Sequence, residues 1–350
     1  MTRIALPPRP RILVIALRRL GDVLLTTPLI ASLRRAWPEA TIEALVFADT
    51  AGILDGNPDL NGVIAMPPRR SFAQSLGLAA RLWRRYDLAV STQPGDRPVL
   101  FACIAGRMRV APVEKRATGD VKRLFLQRTV PFIAGLHRVE EMLRLADALG
   151  IDRDPRLVPP RASAADGLPE GPYAVIHAAP MFRYKQWTAA GWREVAASLR
   201  ARGLTVVATG GPAEAERAYL DDVWRGADVL RLDGTLNWSQ LSGLLAGAKV
   251  YVGPDTSVTH LAAACGCPTV ALFGPTDPRL WGPWPAGGLT LRWADTGAVQ
   301  HRGNVWLLQH AFPCTPCQLE GCERRLESNS ACLDALASQH VMMAMNEALG

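Results

Sequence analysis

Short apolar runs alternate with stretches of helical periodicity along the first half of the chain. The runs typical of buried strands are Ile12–Leu17, Thr41–Phe47, Gly62–Met66 and Asp87–Thr92. The amphipathic stretches typical of helices are Leu29–Trp37, Ser71–Tyr86 and His137–Leu149. Between the last two helices, a basic segment from Arg107 to Arg128 shows no clear period. Strands that alternate with helices build βα units, so this half predicts a parallel sheet covered by helices.

A proline-rich segment interrupts the pattern in the middle of the chain. Residues 152–170 contain four prolines and lack apolar periodicity, which is typical of a linker. The pattern then restarts, with strands predicted at Tyr173–His177, Leu204–Thr209, Asp228–Leu232, Lys249–Val252 and Thr269–Phe273. Helices are predicted at Gly191–Arg202, Ala213–Arg225, Ser239–Ala246 and Ser257–Cys265. The prediction is an α/β fold with two doubly wound, Rossmann-like domains, residues 1–160 and 161–350, facing a cleft that binds ligand.

Composition narrows the class of protein. The 350 residues are 49% hydrophobic and 20% charged, as expected of a folded chain rather than a disordered one. The net charge of +7 favours an anionic partner, although a solvated basic surface would look the same. No apolar run is long enough to span a membrane, and residues 1–11 do not resemble a secretory signal. We therefore expect a cytoplasmic protein.

The first segment that carries chemistry follows the first predicted strand. Gly21 and Asp22 stand where the strand turns into a helix, so the Asp22 carboxylate is expected at the cleft. A carboxylate there can remove a proton from a hydroxyl group. The alternative is that Asp22 is a helix N-cap that satisfies backbone amides. The loop lacks the G-x-G-x-x-G spacing, which weighs against a dehydrogenase.

Two further segments predict a site for a diphosphate. In residues 252–278, a strand leads through Asp255, Thr256 and Ser257 into a small-residue helix that carries His260. The amides at such a helix start can approach a diphosphate. In residues 177–187, Lys185 lies on a loop after a strand, where its charge can stabilise a leaving group. Capping residues and a solvated basic loop are the alternatives.

Together these segments resemble glycosyltransferase family 9, the ADP-heptose:lipopolysaccharide heptosyltransferases. The resemblance rests on GDVLLTTP at 21–28, KQW at 185–187, DTSVTHLAAA at 255–264 and FGPTDP at 273–278. It implies a GT-B architecture and an inverting transfer of heptose from ADP-heptose to the lipopolysaccharide inner core. It also implies an acceptor-binding N-terminal domain, a donor-binding C-terminal domain, and no metal or other cofactor.

The resemblance also assigns roles to residues. Asp22 would be the general base and Lys185 the phosphate-binding cation. The expected donor-binding residues are Lys185, Asp255, Thr256, Ser257, His260 and one of Glu214 and Glu216. The expected acceptor-binding residues are Arg18, Arg19, Arg116 and Lys122. Ser257 replaces a glycine that is common in that turn.

The basic stretch and the cysteines complete the predictions. A basic acceptor half suits a phosphorylated lipid A-core acceptor and the inner face of the inner membrane, whereas no pattern supports nucleic-acid binding. Cys314, Cys317, Cys322 and Cys332 fit no common zinc spacing, so a metal and free thiols both stay open. Two alternatives for function remain: a related transferase using another nucleotide sugar, and a noncatalytic nucleotide-sugar-binding protein.

Overall fold

The computed structural model describes residues 2–69, 71–115, 117–295, 297 and 299–350. The chain forms two compact units, Met1–Pro160 and Arg161–Gly350, called here the N-terminal and C-terminal units. The segment between the last helix of the first unit and the first strand of the second, residues 151–172, contains neither helix nor strand.

The N-terminal unit is built on a sheet of six parallel strands in the order β3-β2-β1-β4-β5-β6. Its strands are β1 (Arg11–Ala16), β2 (Thr41–Phe47), β3 (Gly62–Met66), β4 (Tyr86–Ser91), β5 (Gly106–Val113) and β6 (Arg128–Pro131). Its helices are α1 (Leu20–Leu24), α2 (Thr27–Ala36), α3 (Phe72–Leu82), α4 (Asp96–Ala105), α5 (Ala117–Arg123) and α6 (Arg138–Leu149). This strand order is that of a doubly wound fold.

The central strand β1 shows why helices cover both faces of this sheet. From Ile12 to Ala16 its side chains are buried, and they point alternately to opposite faces. Ile12 and Val14 pack in a cluster with residues of α2 and α6. Leu13 and Ile15 pack in another cluster with residues of α3 and α4. The apolar run Ile12–Ala16 is therefore buried on both sides, as parallel sheets require.

The C-terminal unit contains a seven-stranded sheet in the order β12-β13-β11-β10-β7-β8-β9. Its strands are β7 (Tyr173–His177), β8 (Thr205–Thr209), β9 (Leu230–Arg231), β10 (Tyr251–Pro254), β11 (Thr269–Phe273), β12 (Val299–Arg302) and β13 (Val305–Gln309). Its helices are α7 (Ala189–Ala201), α8 (Glu214–Val223), α9 (Trp238–Gly247), α10 (Ser257–Ala264), α11 (Pro278–Trp281), α12 (Ala331–Asp334) and α13 (Ser338–Leu349). The strands pair in parallel, except that the edge strand β12 runs antiparallel to β13.

The α/β class with two mostly parallel sheets is confirmed, but several elements were not predicted. The basic stretch Arg107–Arg128 was expected to be irregular and instead contains most of β5 and all of α5. The only consecutive buried residues of β5 are its last four, and its first half therefore lacks an apolar run. Helix α4, the β12–β13 hairpin and helix α13 were also missed. Across the described residues, no helix is both long and apolar enough to cross a membrane.

Candidate active site

Asp22 lies just beyond the carboxyl end of β1. It belongs to the first turn of α1, whose N-cap is Arg19, so the interpretation of Asp22 as a helix N-cap is wrong. The Thr26 hydroxyl donates to the backbone carbonyl of Asp22 at 2.9 Å, which fixes the backbone from which the side chain projects. The carboxylate itself is thereby left for other partners.

A small cavity surrounds the Asp22 carboxylate. Its lining combines residues of the β1–α1 segment, the end of β4 and helix α6, namely Arg18, Asp22, Leu25, Thr26, Thr92, Gln93, Arg138 and Met142. The guanidinium groups of Arg18 and Arg138 each lie 3.6 Å from Asp22 Oδ1. Both distances are those of ion pairs rather than of tight hydrogen bonds. The carboxylate is thus flanked by two cations and can still accept a hydrogen bond.

The two arginines differ in their surroundings. The Arg18 side chain is 39% exposed, whereas that of Arg138 is 12% exposed and lies over the Phe132 ring. Burial lowers the pKa of the Arg138 guanidinium, and the charge of Asp22 opposes that shift. Sequence patterns did not indicate Arg138, because it is one basic residue at the start of an ordinary amphipathic helix, 116 positions from Asp22.

The other predicted acceptor-binding residues are spread over the N-terminal unit. Arg19 is exposed at the start of α1. Lys122 lies in the last turn of α5, and its ammonium donates to the Pro94 carbonyl at 2.5 Å and pairs with Asp96 at 2.6 Å. Lys122 does not line the Asp22 cavity. Arg116 lies outside the described residues.

Lys185 and Asp255 form the centre of a second site, in the C-terminal unit. Lys185 ends a short 3₁₀ turn after β7, and Asp255 follows β10. The Lys185 ammonium donates to Asp255 Oδ2 at 2.5 Å, and the Asp255 side chain is only 7% exposed. Burial alone would raise the pKa of the Asp255 carboxyl, but Lys185, and to a lesser extent His260 and Thr276, hold it below its usual range. An ammonium has three donors, so Lys185 can also bind an anion.

The start of α10 lies directly beside this pair. The Thr256 side chain caps the helix by accepting from the Thr259 amide, and Ser257 is the first helical residue. A glycine is required at position 253, near the end of β10, because a Cβ there would lie 2.1 Å from the Tyr251 hydroxyl. That hydroxyl bonds to Thr259 Oγ1 at 2.9 Å and ties β10 to α10. The amides at the helix start are therefore rigidly presented, as anion binding requires.

His260 faces the same pair from within α10. Its side chain is buried, and Nδ1 has no hydrogen-bond partner among the residues that the structure describes. Burial lowers the pKa of His260 to about 4, while Asp255 opposes the shift, so the ring is neutral at pH 7. A buried nitrogen without a partner is costly unless a ligand or water satisfies it. His260 is thus placed to hydrogen-bond a ligand held by Lys185.

Glu214 and Glu216, the two residues considered for binding the ribose, differ in their contacts and exposure. Glu216 Oε1 accepts from the Gly211 amide at 2.5 Å, beside the turn that follows β8. Glu214 is exposed at the first position of α8. The structure also adds Thr276, in the turn after β11, which helps to lower the pKa of the Asp255 carboxyl. The FGPTDP motif indicated that turn but not which side chain contacts the pair.

The cysteine-bearing segment packs against the loop that carries Lys185. Ser330 Oγ donates to the Tyr184 carbonyl at 2.7 Å, Arg183 donates to Asn329 Oδ1 at 3.0 Å, and Trp187 Nε1 donates to the Leu336 carbonyl at 2.9 Å. All seven cysteines are free thiols. Within the described residues, no cluster of His, Cys, Asp and Glu side chains could hold a metal ion. The cysteine-bearing segment therefore holds the Lys185 loop in place through hydrogen bonds.

Comparison with known proteins identifies the family. The model of glycosyltransferase family 9 (heptosyltransferase) matches residues 76–306. A lipopolysaccharide heptosyltransferase 3 of Escherichia coli is 30% identical over 284 residues, which cover 75% of this chain and 83% of the relative. A lipopolysaccharide heptosyltransferase 1 of Pseudomonas aeruginosa is 29% identical over 336 residues, which cover 89% of this chain and 87% of the relative.

Solved structures show the same fold. The Escherichia coli heptosyltransferase WaaC with ADP superposes with a TM-score of 0.72 at 23% identity, covering 97% of this chain and 99% of that one. The same enzyme with ADP-2-deoxy-2-fluoro heptose gives a TM-score of 0.71 at 22% identity, with 96% and 99% covered. The GT-B fold is confirmed by this likeness. With the family match and the curated relatives, it follows that the chain belongs to glycosyltransferase family 9, the heptosyltransferases.

Proposed function

We propose that the protein transfers heptose from ADP-heptose to the inner core of lipopolysaccharide, with inversion at the anomeric carbon. The family membership and the names of the curated relatives support this substrate pair. The observation that carries the proposal is the Lys185–Asp255 ion pair beside the start of α10, next to His260, whose Nδ1 has no hydrogen-bond partner among the described residues. This set of groups suits a diphosphate attached to a sugar.

The C-terminal unit binds the donor in this proposal. The Lys185 ammonium and the amides after Thr256 and Ser257 bind the diphosphate, and His260 contributes a further hydrogen bond. Asp255 accepts hydrogen bonds from the heptose hydroxyls. Glu216 reaches the ribose, because it lies against Gly211, whereas Glu214 is exposed.

The N-terminal unit binds the acceptor and supplies the base. Asp22 accepts the proton of the acceptor hydroxyl as that oxygen attacks the anomeric carbon from the side opposite the diphosphate. The bond from the anomeric carbon to the diphosphate oxygen breaks, and ADP leaves with the electron pair. Arg18, Arg19, Arg116 and Lys122 bind the anionic groups of the acceptor.

No metal ion takes part in this mechanism. The negative charge that grows on the leaving ADP is stabilised by Lys185 and by the α10 amides, which do the work that a divalent cation does in other transferases. The protein acts at the cytoplasmic face of the inner membrane, where it associates peripherally with the surface that carries its lipid-borne acceptor.

Calorimetry with a panel of nucleotide sugars tests the donor. We expect ADP-heptose to bind at least about tenfold more tightly than UDP- and GDP-sugars, because discrimination by a few hydrogen bonds is of that size or larger. A transfer assay with a lipopolysaccharide core acceptor tests the reaction, and the anomeric configuration of the product reports inversion. Tighter binding of a UDP- or GDP-sugar would contradict the donor, and binding without turnover would indicate a noncatalytic nucleotide-sugar-binding protein.

A further inference from the structure

Three large apolar side chains are exposed together at the end of α5. Val121 is 57% exposed, Leu124 82% and Phe125 53%. The amides of Leu124 and Phe125 donate to the carbonyls of Val121 and Lys122, so the helical turn continues to Phe125. Residues spaced three and four apart share one side of a helical turn. The three side chains therefore form one apolar surface that faces solvent.

A fourth exposed apolar side chain, Leu100, lies on the neighbouring helix α4. It is 58% exposed and lies one turn after Asp96, the residue that pairs with Lys122 of α5. Leu126, the next residue after the exposed turn, is buried in a cluster with Val99. The turn is thus held against α4 rather than free. The surface formed by Leu100, Val121, Leu124 and Phe125 is called the apolar patch below.

Basic residues border the apolar patch. Residues 114–128 contain five lysines and arginines and two acidic residues. Lys115 and Arg123 are exposed within that segment. Arg97 is exposed on α4, three residues before Leu100. Apolar side chains bordered by cations are typical of elements that lie in the interface of an anionic bilayer.

We propose that the apolar patch is the surface through which the N-terminal unit docks on an anionic lipid bilayer. Val121, Leu124, Phe125 and Leu100 enter the headgroup region, and Lys115, Arg123 and Arg97 contact lipid phosphates. A second copy of the chain fits the patch less well, because a twofold contact would bring the same cations against one another. This inference rests on the proposed function only in that the acceptor is lipid-borne.

Sedimentation with lipid vesicles tests the docking surface. The parent chain is expected to sediment with vesicles of phosphatidylethanolamine and phosphatidylglycerol, and much less with phosphatidylcholine alone. The double variant Leu124→Ser/Phe125→Ser is expected to lose about tenfold or more in vesicle affinity, since two apolar side chains no longer leave water. The control Leu291→Ser/Met343→Ser removes two similarly exposed apolar side chains from the C-terminal unit and is expected to bind like the parent.

Transfer to a deacylated, water-soluble core acceptor separates this inference from the proposed function. Leu124→Ser/Phe125→Ser is expected to melt and turn over like the parent on that acceptor. Failure of the parent to transfer heptose would contradict the proposed function and leave vesicle binding unaffected. Equal vesicle binding by the two double variants would overturn the docking surface. So would a parent dimer in gel filtration that Leu124→Ser/Phe125→Ser converts to a monomer, because the patch would then join two copies.

Discussion

The Asp22 carboxylate can be tested by a change that keeps its shape. Asn is nearly isosteric with Asp but cannot accept a proton, so Asp22→Asn is expected to lower kcat by about 10²-fold or more, as loss of a general base does. ADP affinity is expected to stay at the parent value, because the groups proposed to bind ADP belong to the C-terminal unit. Steady-state kinetics and ADP calorimetry on the same preparation measure both quantities.

A matched control for this variant is Asp120→Asn. Asp120 is a well-exposed carboxylate of the same unit, paired with Arg123 within α5, and its removal is expected to leave kcat unchanged. If Asp22→Asn is folded, binds ADP and turns over within a few-fold of the parent, Asp22 is not the base.

Arg138 is expected to position Asp22. Its buried guanidinium holds the carboxylate from α6, while Arg18 approaches from the more exposed side. Arg138→Met is expected to lower kcat by about tenfold, because a small displacement of a catalytic group is costly. Arg138→Lys, which keeps a positive charge beside Asp22, is expected to recover part of the lost kcat.

Arg18→Met serves as the comparison for Arg138→Met. Water screens the exposed Arg18 charge, so kcat of this variant is expected to fall less than that of Arg138→Met. Glu141, which also faces Arg138, stays in place in both variants. If both Met variants lower kcat equally and Arg138→Lys recovers none of the loss, the arginines contribute to the shape of the cavity and not to the position of Asp22.

Lys185→Ala removes the proposed diphosphate cation. ADP binding is expected to weaken by about 2–4 kcal/mol, as for a charged contact in a closed site. The variant is also expected to be less stable, because Asp255 keeps a buried charge without its main partner. Lys185→Ala/Asp255→Asn removes that charge, so it should recover thermal stability without recovering ADP affinity. Recovery of both would mean that Lys185 only pairs with Asp255.

Some of these site residues could be predicted from the sequence and others could not. Asp22, Lys185 and Asp255 each follow a predicted strand, and the carboxyl ends of parallel strands are where ligands bind, so their neighbourhoods could be predicted. Arg138 could not be predicted, because its contact with Asp22 depends on how α6 packs against β1. The choice of Glu216 over Glu214 likewise depends on the direction in which α8 starts, which no periodicity encodes. Their roles in catalysis and binding stay predictions.

At the scale of elements, α10 makes a prediction about metals. Eight residues long and capped by Thr256, it presents its first amides beside Lys185. If amides and lysine together neutralise the departing ADP, a chelator such as EDTA is expected to leave the initial rate within about twofold of the untreated enzyme. Strong inhibition that magnesium reverses would contradict this mechanism. Slow inactivation with loss of thermal stability would indicate a structural metal rather than one that takes part in the transfer.

The elements themselves were predictable where burial is continuous. Strands β2, β3, β7 and β11 begin and end where the apolar runs do. Strand β5 escaped prediction because Arg107 and Arg109 occupy its first half, where the sheet is open to solvent. The β12–β13 hairpin lies at a sheet edge, where β12 has only one buried residue and so no apolar period. Prediction from pattern fails where an element is half exposed.

At the scale of the whole molecule, two buried histidines set a pH dependence of stability. Burial lowers the pKa of His177 and of His260 to about 4, from 6.5 in the unfolded chain. Above pH 6.5 both states bind no proton at these rings, and the stability that they contribute is fully present. As pH falls toward 4, the unfolded chain takes up protons that the folded chain does not, so the free energy of unfolding decreases.

Urea unfolding at several pH values measures this dependence. Between pH 6.5 and 4, we expect His177→Asn to show a shallower fall in the free energy of unfolding than the parent, with a difference of up to about 3 kcal/mol across the window. Asn can still bond to Thr209, the partner of His177. His340→Asn, at an exposed ring on α13, is the control and should follow the parent. An unchanged slope for His177→Asn would mean that this ring is protonated in the folded state.

The contacts between the Lys185 loop and residues 329–336 have a consequence for biosynthesis. The ribosome completes β7 and the Lys185 loop more than a hundred residues before it adds the residues that hold them, Ser330 and Leu336. Leu333, Val341 and Met345 belong to the same apolar cluster as the core of β7 and α7. Domains that emerge first fold first, so the N-terminal unit can fold on the ribosome before the Lys185 loop makes its contacts with residues 329–336. A nascent chain arrested before residue 329 is therefore expected to expose the Lys185 loop to proteases that the finished protein resists.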